Sequence, residues 1–202
     1  MKYEIILASG SPRRRDLLNQ IGVQYRVCVS ECDESSEESD PAALVALLAE
    51  RKAAAVAKKA ACPSVIIGSD TVVALENTIL GKPQNAERAS QMLHRISGKQ
   101  HKVYTGVCVI IKEKDGTKRT RVFSEEATVH IAELTDLQIE EYIKTGEPFD
   151  KAGAYACQGN FATYVKRIEG DYNTIVGLPL AALYECLYRE GINLRTGETL
   201  QG

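Results

Sequence analysis

The sequence has no tryptophan, and aromatic residues make up only 6% of it. Unpaired bases stack on such side chains, so the scarcity disfavours a single-strand nucleic-acid binder. A net charge of −2 points the same way, because nucleic-acid-binding domains are as a rule markedly basic. No apolar run approaches the ~18 residues that a membrane helix needs, so no membrane association is expected. The opening Met-Lys-Tyr-Glu passes at once into a short apolar run and lacks a signal-peptide pattern. The six cysteines form no paired CxxC motifs, and only Cys28 and Cys32 lie close together. Reduced thiols in a cytoplasmic protein are therefore the expectation, and zinc is not. A GxxxxGK[ST] loop is missing, which excludes a P-loop hydrolase, and no GxGxxG opens a helix to hold a dinucleotide. His94, His101 and His130 lack metal-binding spacing, and there is no GxSxG.

The remaining composition is that of a globular protein, with 202 residues and 44% hydrophobic content. That length suffices for one sizeable core, or for two small lobes sharing a cleft. We read residues 1–194 as a single domain and 195–202 as a frayed C-terminal tail. The pattern predicts helices at 12–21, 41–60, 86–96 and 179–189, and another that Thr135 caps with Gln138 at the capping-box position and that stops at Gly146. Strands are expected at 24–29, 64–68, 72–75, 102–112, 120–134 and about 164–168, with turns at Asn77 and 114–116. The order is mixed α/β, with the antiparallel strands late in the chain.

Residues 7–18, LASGSPRRRDLL, carry the most chemical information. An apolar strand breaks into Ser9-Gly10-Ser11-Pro12, and three arginines open the helix. Ser11 suits the cap and Pro12 the first helical position. Unpaired backbone N–H groups beside arginines make a site for an anion such as phosphate, although a solvated basic turn gives the same string. Asp70 follows Val65-Ile66-Ile67-Gly68-Ser69 and is expected at the C-terminal end of an apolar strand, where α/β folds place ligand-binding groups. A carboxylate there can hold a hard cation or orient water, or it can simply close a turn. Lys82, in Gly81-Lys82-Pro83, can reach a phosphate as a point charge, though a surface turn has the same composition. Lys52 lies on an alanine-rich helix, where most lysines are merely solvated. Asp33 and Glu34, in an acidic loop, are alternative second acidic groups. Residues 147–155, EPFDKAGAY, crowd unlike polar residues into one loop, as functional loops do. Gln158 offers an amide with a donor and an acceptor side, suited to a nucleobase edge.

Together these pieces resemble the Maf family of nucleoside triphosphate pyrophosphatases, also labelled septum-formation proteins. The matching segments are LASGSPRR at 7–14, Lys52, GSDT at 68–71, GKP at 81–83, LHRISG at 93–98, EPFDKAGAYACQG at 147–159, Gly170-Asp171-Tyr172 and Gly177-Leu178-Pro179. The resemblance implies an elongated α/β molecule of the Maf/inosine-triphosphatase-like kind, with a mixed sheet, flanking helices and two lobes around a central cleft. It also implies cleavage of a nucleoside triphosphate between its α and β phosphates. By the motif match Asp70 is the general base and a contact to a divalent Mg²⁺ or Mn²⁺, and Glu34 is a further acidic group at the metal. Ser9, Arg13, Arg14, Lys52 and Lys82 surround the triphosphate. Arg13, Thr71 and Gln158 match positions tied to base choice in the branch similar to dTTP/UTP pyrophosphatases. Ser69 stands where alanine is common in the family, and Cys157 where a non-thiol aliphatic residue is usual; neither removes a charge.

Such an activity suits house-cleaning of modified pyrimidine nucleotides. The apolar late strands leave room for a homodimer. A rival reading is a nucleotide-binding regulator of cell division that senses a triphosphate without cleaving it. It predicts saturable binding with no pyrophosphate release.

Overall fold

The computed structural model describes residues 1–76 and 78–200. Among the described residues seven strands form one mixed sheet: β1 (Glu4–Leu7), β2 (Arg26–Val27), β3 (Ser64–Leu75), β4 (Thr78–Leu80), β5 (Gln100–Lys112), β6 (Lys118–Ile131) and β7 (Val165–Glu169). Their order is β2-β1-β3-β5-β6-β7, with β4 on β3. The early pairs, β1 with β2 and β1 with β3, are parallel, and all later pairs are antiparallel. The flanking helices are α1 (Pro12–Gln20), α2 (Pro41–Ala57), α3 (Ala86–Ile96), α4 (Asp136–Lys144), α5 (Tyr172–Val176) and α6 (Leu180–Arg189). The expected mixed α/β class is what forms.

Alternation along β3 and β5 explains the layers. Val65, Ile67, Val107 and Val109 pack with Leu17 and Leu18 of α1 and Leu183 and Leu187 of α6. Ile66, Cys108 and Ile110 point the other way, into Ala49, Ala53 and Val56 of α2. A third core lies toward the far end of β3, where Val73, Leu75, Val103 and Val129 meet Leu93 of α3, Tyr142 of α4, Tyr155 and Phe161. Helix α2 lies close on the sheet because two strand positions carry no side chain. A Cβ on Gly68 would come within 2.3 Å of the Ala49 carbonyl oxygen, and one on Gly106 within 2.2 Å of that of Val45.

The sheet leaves one opening beside β3. Strand β1 pairs with it only as far as Ile67, and β4 begins pairing at Val73. Between them, residues 68–72 have β5 on one edge and no strand on the other among the described residues. Asp70 and Thr71 sit in that gap.

The expected break of this strand at 69–71 is therefore corrected: β3 runs unbroken from Ser64 to Leu75. Its pairing with β5 holds from Ser64↔Lys112 to Ala74↔Lys102, so the polar residues stay on a continuous ladder. Asp70 lies within the strand and is not at its end. Helix α2 stops at Ala57, short of 60, and the buried Lys112 ammonium takes the carbonyls of Ala57, at 3.0 Å, and Ala60. Ser11 stands at the cap of α1, but its side chain makes no capping bond. The strand expected at 24–29 shrinks to Arg26–Val27, and the short α5 was not anticipated. The Thr135–Gln138 capping box forms as expected.

Residues 195–200 do not fray. Tyr3 N–H donates to the Gly197 carbonyl (2.8 Å), Thr199 N–H to Met1 (2.9 Å) and Leu200 N–H to Gly191 (2.7 Å). The turn expected at Asn77, and tail residues Gln201 and Gly202, lie outside the described residues.

Candidate active site

The gap in the sheet opens into a cavity of about 500 Å³. Its walls bring together all nine residues singled out in the sequence. Ser9, Arg13 and Arg14 come from the β1–α1 turn, Glu34 from the acidic loop and Lys52 from α2. Asp70 and Thr71 come from β3, Lys82 from the segment after β4, and Gln158 from the loop before β7.

Lys52 is not one of the solvated lysines of a surface helix. Its side chain is 10% exposed, and its ammonium lies 2.5 Å from Asp70 Oδ1 and 3.0 Å from a Glu34 carboxylate oxygen. This geometry separates the two acidic-loop alternatives. Glu34 faces the cavity, whereas the Asp33 carboxylate turns back to accept from Ser35 N–H and Oγ at 2.9 and 2.7 Å. Asp70 Oδ2 has no hydrogen-bond partner among the described residues.

The two arginines separate as well. Arg13, 29% exposed at its side chain, lies 3.6 Å from Asp150 of the 147–155 loop. Burial works to raise the Asp150 pKa, but Lys151 and Arg13 outweigh it and hold the carboxyl below its ordinary value. Arg14 is buried and holds the site's frame together. Its Nε donates to the Gly177 carbonyl (2.8 Å), Nη1 to Ser9 Oγ (2.9 Å) and Nη2 to Thr71 Oγ1 (3.1 Å). Burial pulls its guanidinium pKa down, and the nearby Asp70 partly offsets that. The Gly177 carbonyl also accepts from the fully buried Ser69 hydroxyl at 2.9 Å, so the unusual serine has a defined partner.

Lys82 and Gln158 are exposed; Lys82 has no side-chain hydrogen bond or ion pair among the described residues, whereas the Gln158 amide lies beside the Tyr172 hydroxyl. Lys82 is thus an uncommitted cation of the lining. The lining also includes apolar side chains, among them Val73, Leu80, Val103 and Val176. The loop carrying Gln158 is fastened to the Lys82 segment by Gly153 N–H donating to the Gly81 carbonyl at 3.0 Å. Gly153 adopts φ +69, and a Cβ there would meet Val73 at 3.0 Å.

Sequence reading missed Thr105, Asp150 and Lys151 as parts of this site. Thr105 lies in an apolar strand, and only the register that pairs it with Thr71 reveals its place. Asp150 and Lys151 lie in the 147–155 loop that stands out in the sequence, but their partners, Arg13 and the Glu147 carbonyl, are set by the fold.

A family model described as Maf-like protein matches residues 4–190. The chain belongs to the Maf family. Among curated relatives, a dTTP/UTP pyrophosphatase of Lachnoclostridium phytofermentans is 52% identical over 192 residues, spanning 95% of this chain and 98% of its own. One from Bacillus cereus is 46% identical, spanning 89% and 92%, and one from Agathobacter rectalis 44%, spanning 95% and 99%. The solved Staphylococcus aureus Ham1 protein covers 93% of this chain and 99% of its own at 16% identity and a TM-score of 0.49, too loose a likeness to add weight.

For this Maf family member, the donor set bears on a divalent metal. Among the described residues no three His, Cys, Asp or Glu side chains cluster as a protein-only metal cage. Asp70 and Glu34, however, both reach one cationic point, the Lys52 ammonium. Two carboxylates suit Mg²⁺ or Mn²⁺ that draws its remaining oxygens from phosphates and water.

Proposed function

We propose that this chain hydrolyses nucleoside triphosphates, dTTP and UTP foremost, between the α and β phosphates, giving the nucleoside monophosphate and pyrophosphate. The observation that carries the reading is a buried carboxylate, Asp70, anchored by Lys52 in a cavity that Arg13, Arg14 and Lys82 also line. The relatives named dTTP/UTP pyrophosphatase, similar over nearly their whole length, support the reaction and the pyrimidine preference.

A triphosphate's negative charge repels an incoming nucleophile, and cations placed around it remove that repulsion. Lys82 is unpaired among the described residues and can engage phosphate oxygens, and Arg13 can join it by turning from its loose 3.6 Å pair with Asp150. Arg14 acts chiefly through its hold on Ser9 and Thr71. With Oδ1 on Lys52, the Asp70 carboxylate uses Oδ2 to take a proton from water. That water's oxygen bonds to the α-phosphorus as the bond to the bridging oxygen breaks, and pyrophosphate leaves. Asp70 and Glu34 would hold the Mg²⁺ or Mn²⁺ that accompanies the triphosphate, whose chemistry is to neutralise phosphate charge. Gln158 and Thr71 face the base.

A panel of nucleoside triphosphates with Mg²⁺ and with Mn²⁺, scored for pyrophosphate against orthophosphate, tests this. Orthophosphate as the first product overturns α–β cleavage. Saturable binding without pyrophosphate overturns hydrolysis in favour of the regulator reading.

The proposal includes a cytoplasmic setting, in keeping with six free cysteines. It also includes a homodimer, for which Tyr184 and Tyr188, stacked at 6.0 Å and exposed on α6, supply apolar surface. Light scattering reads the latter.

A further inference from the structure

We propose that Thr105 is a positioning residue that fixes the polarity of the Thr71 hydroxyl, so that the cavity selects nucleotides whose base carries a ring N–H on its pairing edge, uracil or thymine over cytosine. The inference rests on the reading of the cavity as a nucleotide site.

Thr105 lies directly across the β3–β5 ladder from Thr71 and is fully buried. Its hydroxyl lies 2.6 Å from the Thr174 carbonyl oxygen, which can only accept, so the single Thr105 proton points there. The Thr71 and Thr105 hydroxyls are 2.9 Å apart, and the only proton left for that bond is Thr71's. Arg14 Nη2, at 3.1 Å from Thr71 Oγ1, can only donate. The chain therefore runs one way, from Arg14 through Thr71 and Thr105 to the Thr174 carbonyl. It cannot reverse, because Arg14 cannot accept at one end and the Thr174 carbonyl cannot donate at the other.

Thr71 lines the cavity with its proton already spent inward. It keeps only a lone pair for a ligand. Gln158, exposed and beside the Tyr172 hydroxyl, carries an amide with both a donor and an acceptor side, so it does not by itself tell one base edge from the other. Discrimination between edges therefore falls to Thr71. Uracil and thymine offer N3–H to that lone pair. Cytosine presents a bare N3, lone pair against lone pair, and an unmet polar group in a desolvated site is strongly rejected.

Thr105→Val keeps the shape and removes the acceptor, which frees the Thr71 proton to turn toward the ligand. The α,β-methylene analogues of UTP and CTP, which cannot be cut at that bridge, are titrated calorimetrically with Mg²⁺. The uracil-to-cytosine affinity ratio is expected to fall about tenfold in Thr105→Val, with the cytosine analogue binding more tightly than to the wild type. Thr105→Ser is expected to restore the wild-type ratio. An unchanged ratio, or equal weakening of both analogues, overturns the inference. The unaltered protein gives a second test that needs no variant. A pyrimidin-2-one nucleotide, with bare N3 and no amino group, should bind as weakly as the cytosine analogue, and binding as tight as uracil's overturns the inference. Pyrophosphate release from UTP is assayed separately. Its absence alongside a shifted ratio overturns the hydrolytic reading alone, and its presence with an unshifted ratio overturns the inference alone.

Discussion

At the scale of single residues, the site turns on how each charge is partnered. Asp70→Asn keeps the volume and can still meet Lys52 through its carbonyl oxygen, but it cannot take a proton from water. The expected outcome is an intact fold by circular dichroism and a fall in pyrophosphate release on the order of 10²–10⁴. Unchanged turnover would remove Asp70 from its role. His101 makes a separate, pH-dependent contribution. It is 3% exposed, its Nε2 sits 2.5 Å from the Tyr155 hydroxyl, and its Nδ1 has no partner among the described residues. Burial, reinforced by His130, pushes its pKa down to about 4. The unfolded chain binds this proton near pH 6.5 and the folded chain only near 4, so between those values the unfolded state carries more protons. Stability contributed here is complete above about pH 6.5 and is lost as pH falls toward 4, to a total of about 3 kcal/mol. Because carboxylates titrate in the same range, the measurement is a difference. Between pH 6.5 and 4.5 the melting temperature of His101→Phe should fall less than that of the wild type. Parallel curves would show that this histidine carries no such linkage.

Among the elements, α2 is the one whose placement decides the chemistry, since it carries Lys52 to Asp70. It lies where it does because Gly68 and Gly106 leave the sheet bare beneath Ala49 and Val45. Gly106→Ala forces Val45 and the helix outward. Overpacking of this kind costs about 1–3 kcal/mol, read as a lowered denaturant midpoint. Lys52 is two turns along the same helix, so kcat/KM should fall with it, by about 10–100-fold. A loss of stability with unchanged kcat/KM would mean that α2 shifts without moving Lys52. The elements also show what sequence can and cannot disclose. Thr135–Gln138 and the helix at 86–96 were legible because capping and amphipathic spacing are local. The motifs around Ser9, Lys52, Asp70, Lys82 and Gln158 were legible as residue types in order. The continuity of β3 through Ser69-Asp70-Thr71 was not, because its cause is the ladder to β5, more than thirty residues away. Thr105 and the buried frame role of Arg14 stayed hidden for the same reason: their partners are set by register and tertiary closure.

For the whole molecule, one sheet serves three cores, and the cavity lies where the parallel end gives way to the antiparallel end. The parallel end has a weak margin, since β1 has four residues and β2 only two. The C-terminal segment compensates by closing over the N-terminus. Residues 195–200, expected to be loose, supply backbone bonds to Met1, Tyr3 and Gly191, and the Thr199 hydroxyl accepts from the N-terminal ammonium at 2.8 Å. Each such bond contributes about 0.5–1.5 kcal/mol net, so a chain ending at Leu194 should lose about 2 kcal/mol. For a domain of this size that corresponds to a melting temperature lower by about 5 °C. The cavity draws no lining residue from beyond Val176, so pyrophosphate release at 25 °C should be unaffected by the truncation. An unchanged melting temperature would mean that the segment lies on the surface without holding β1. A loss of activity without melting would mean that strain at β1 reaches Ser9 and Arg14 through the turn that joins them.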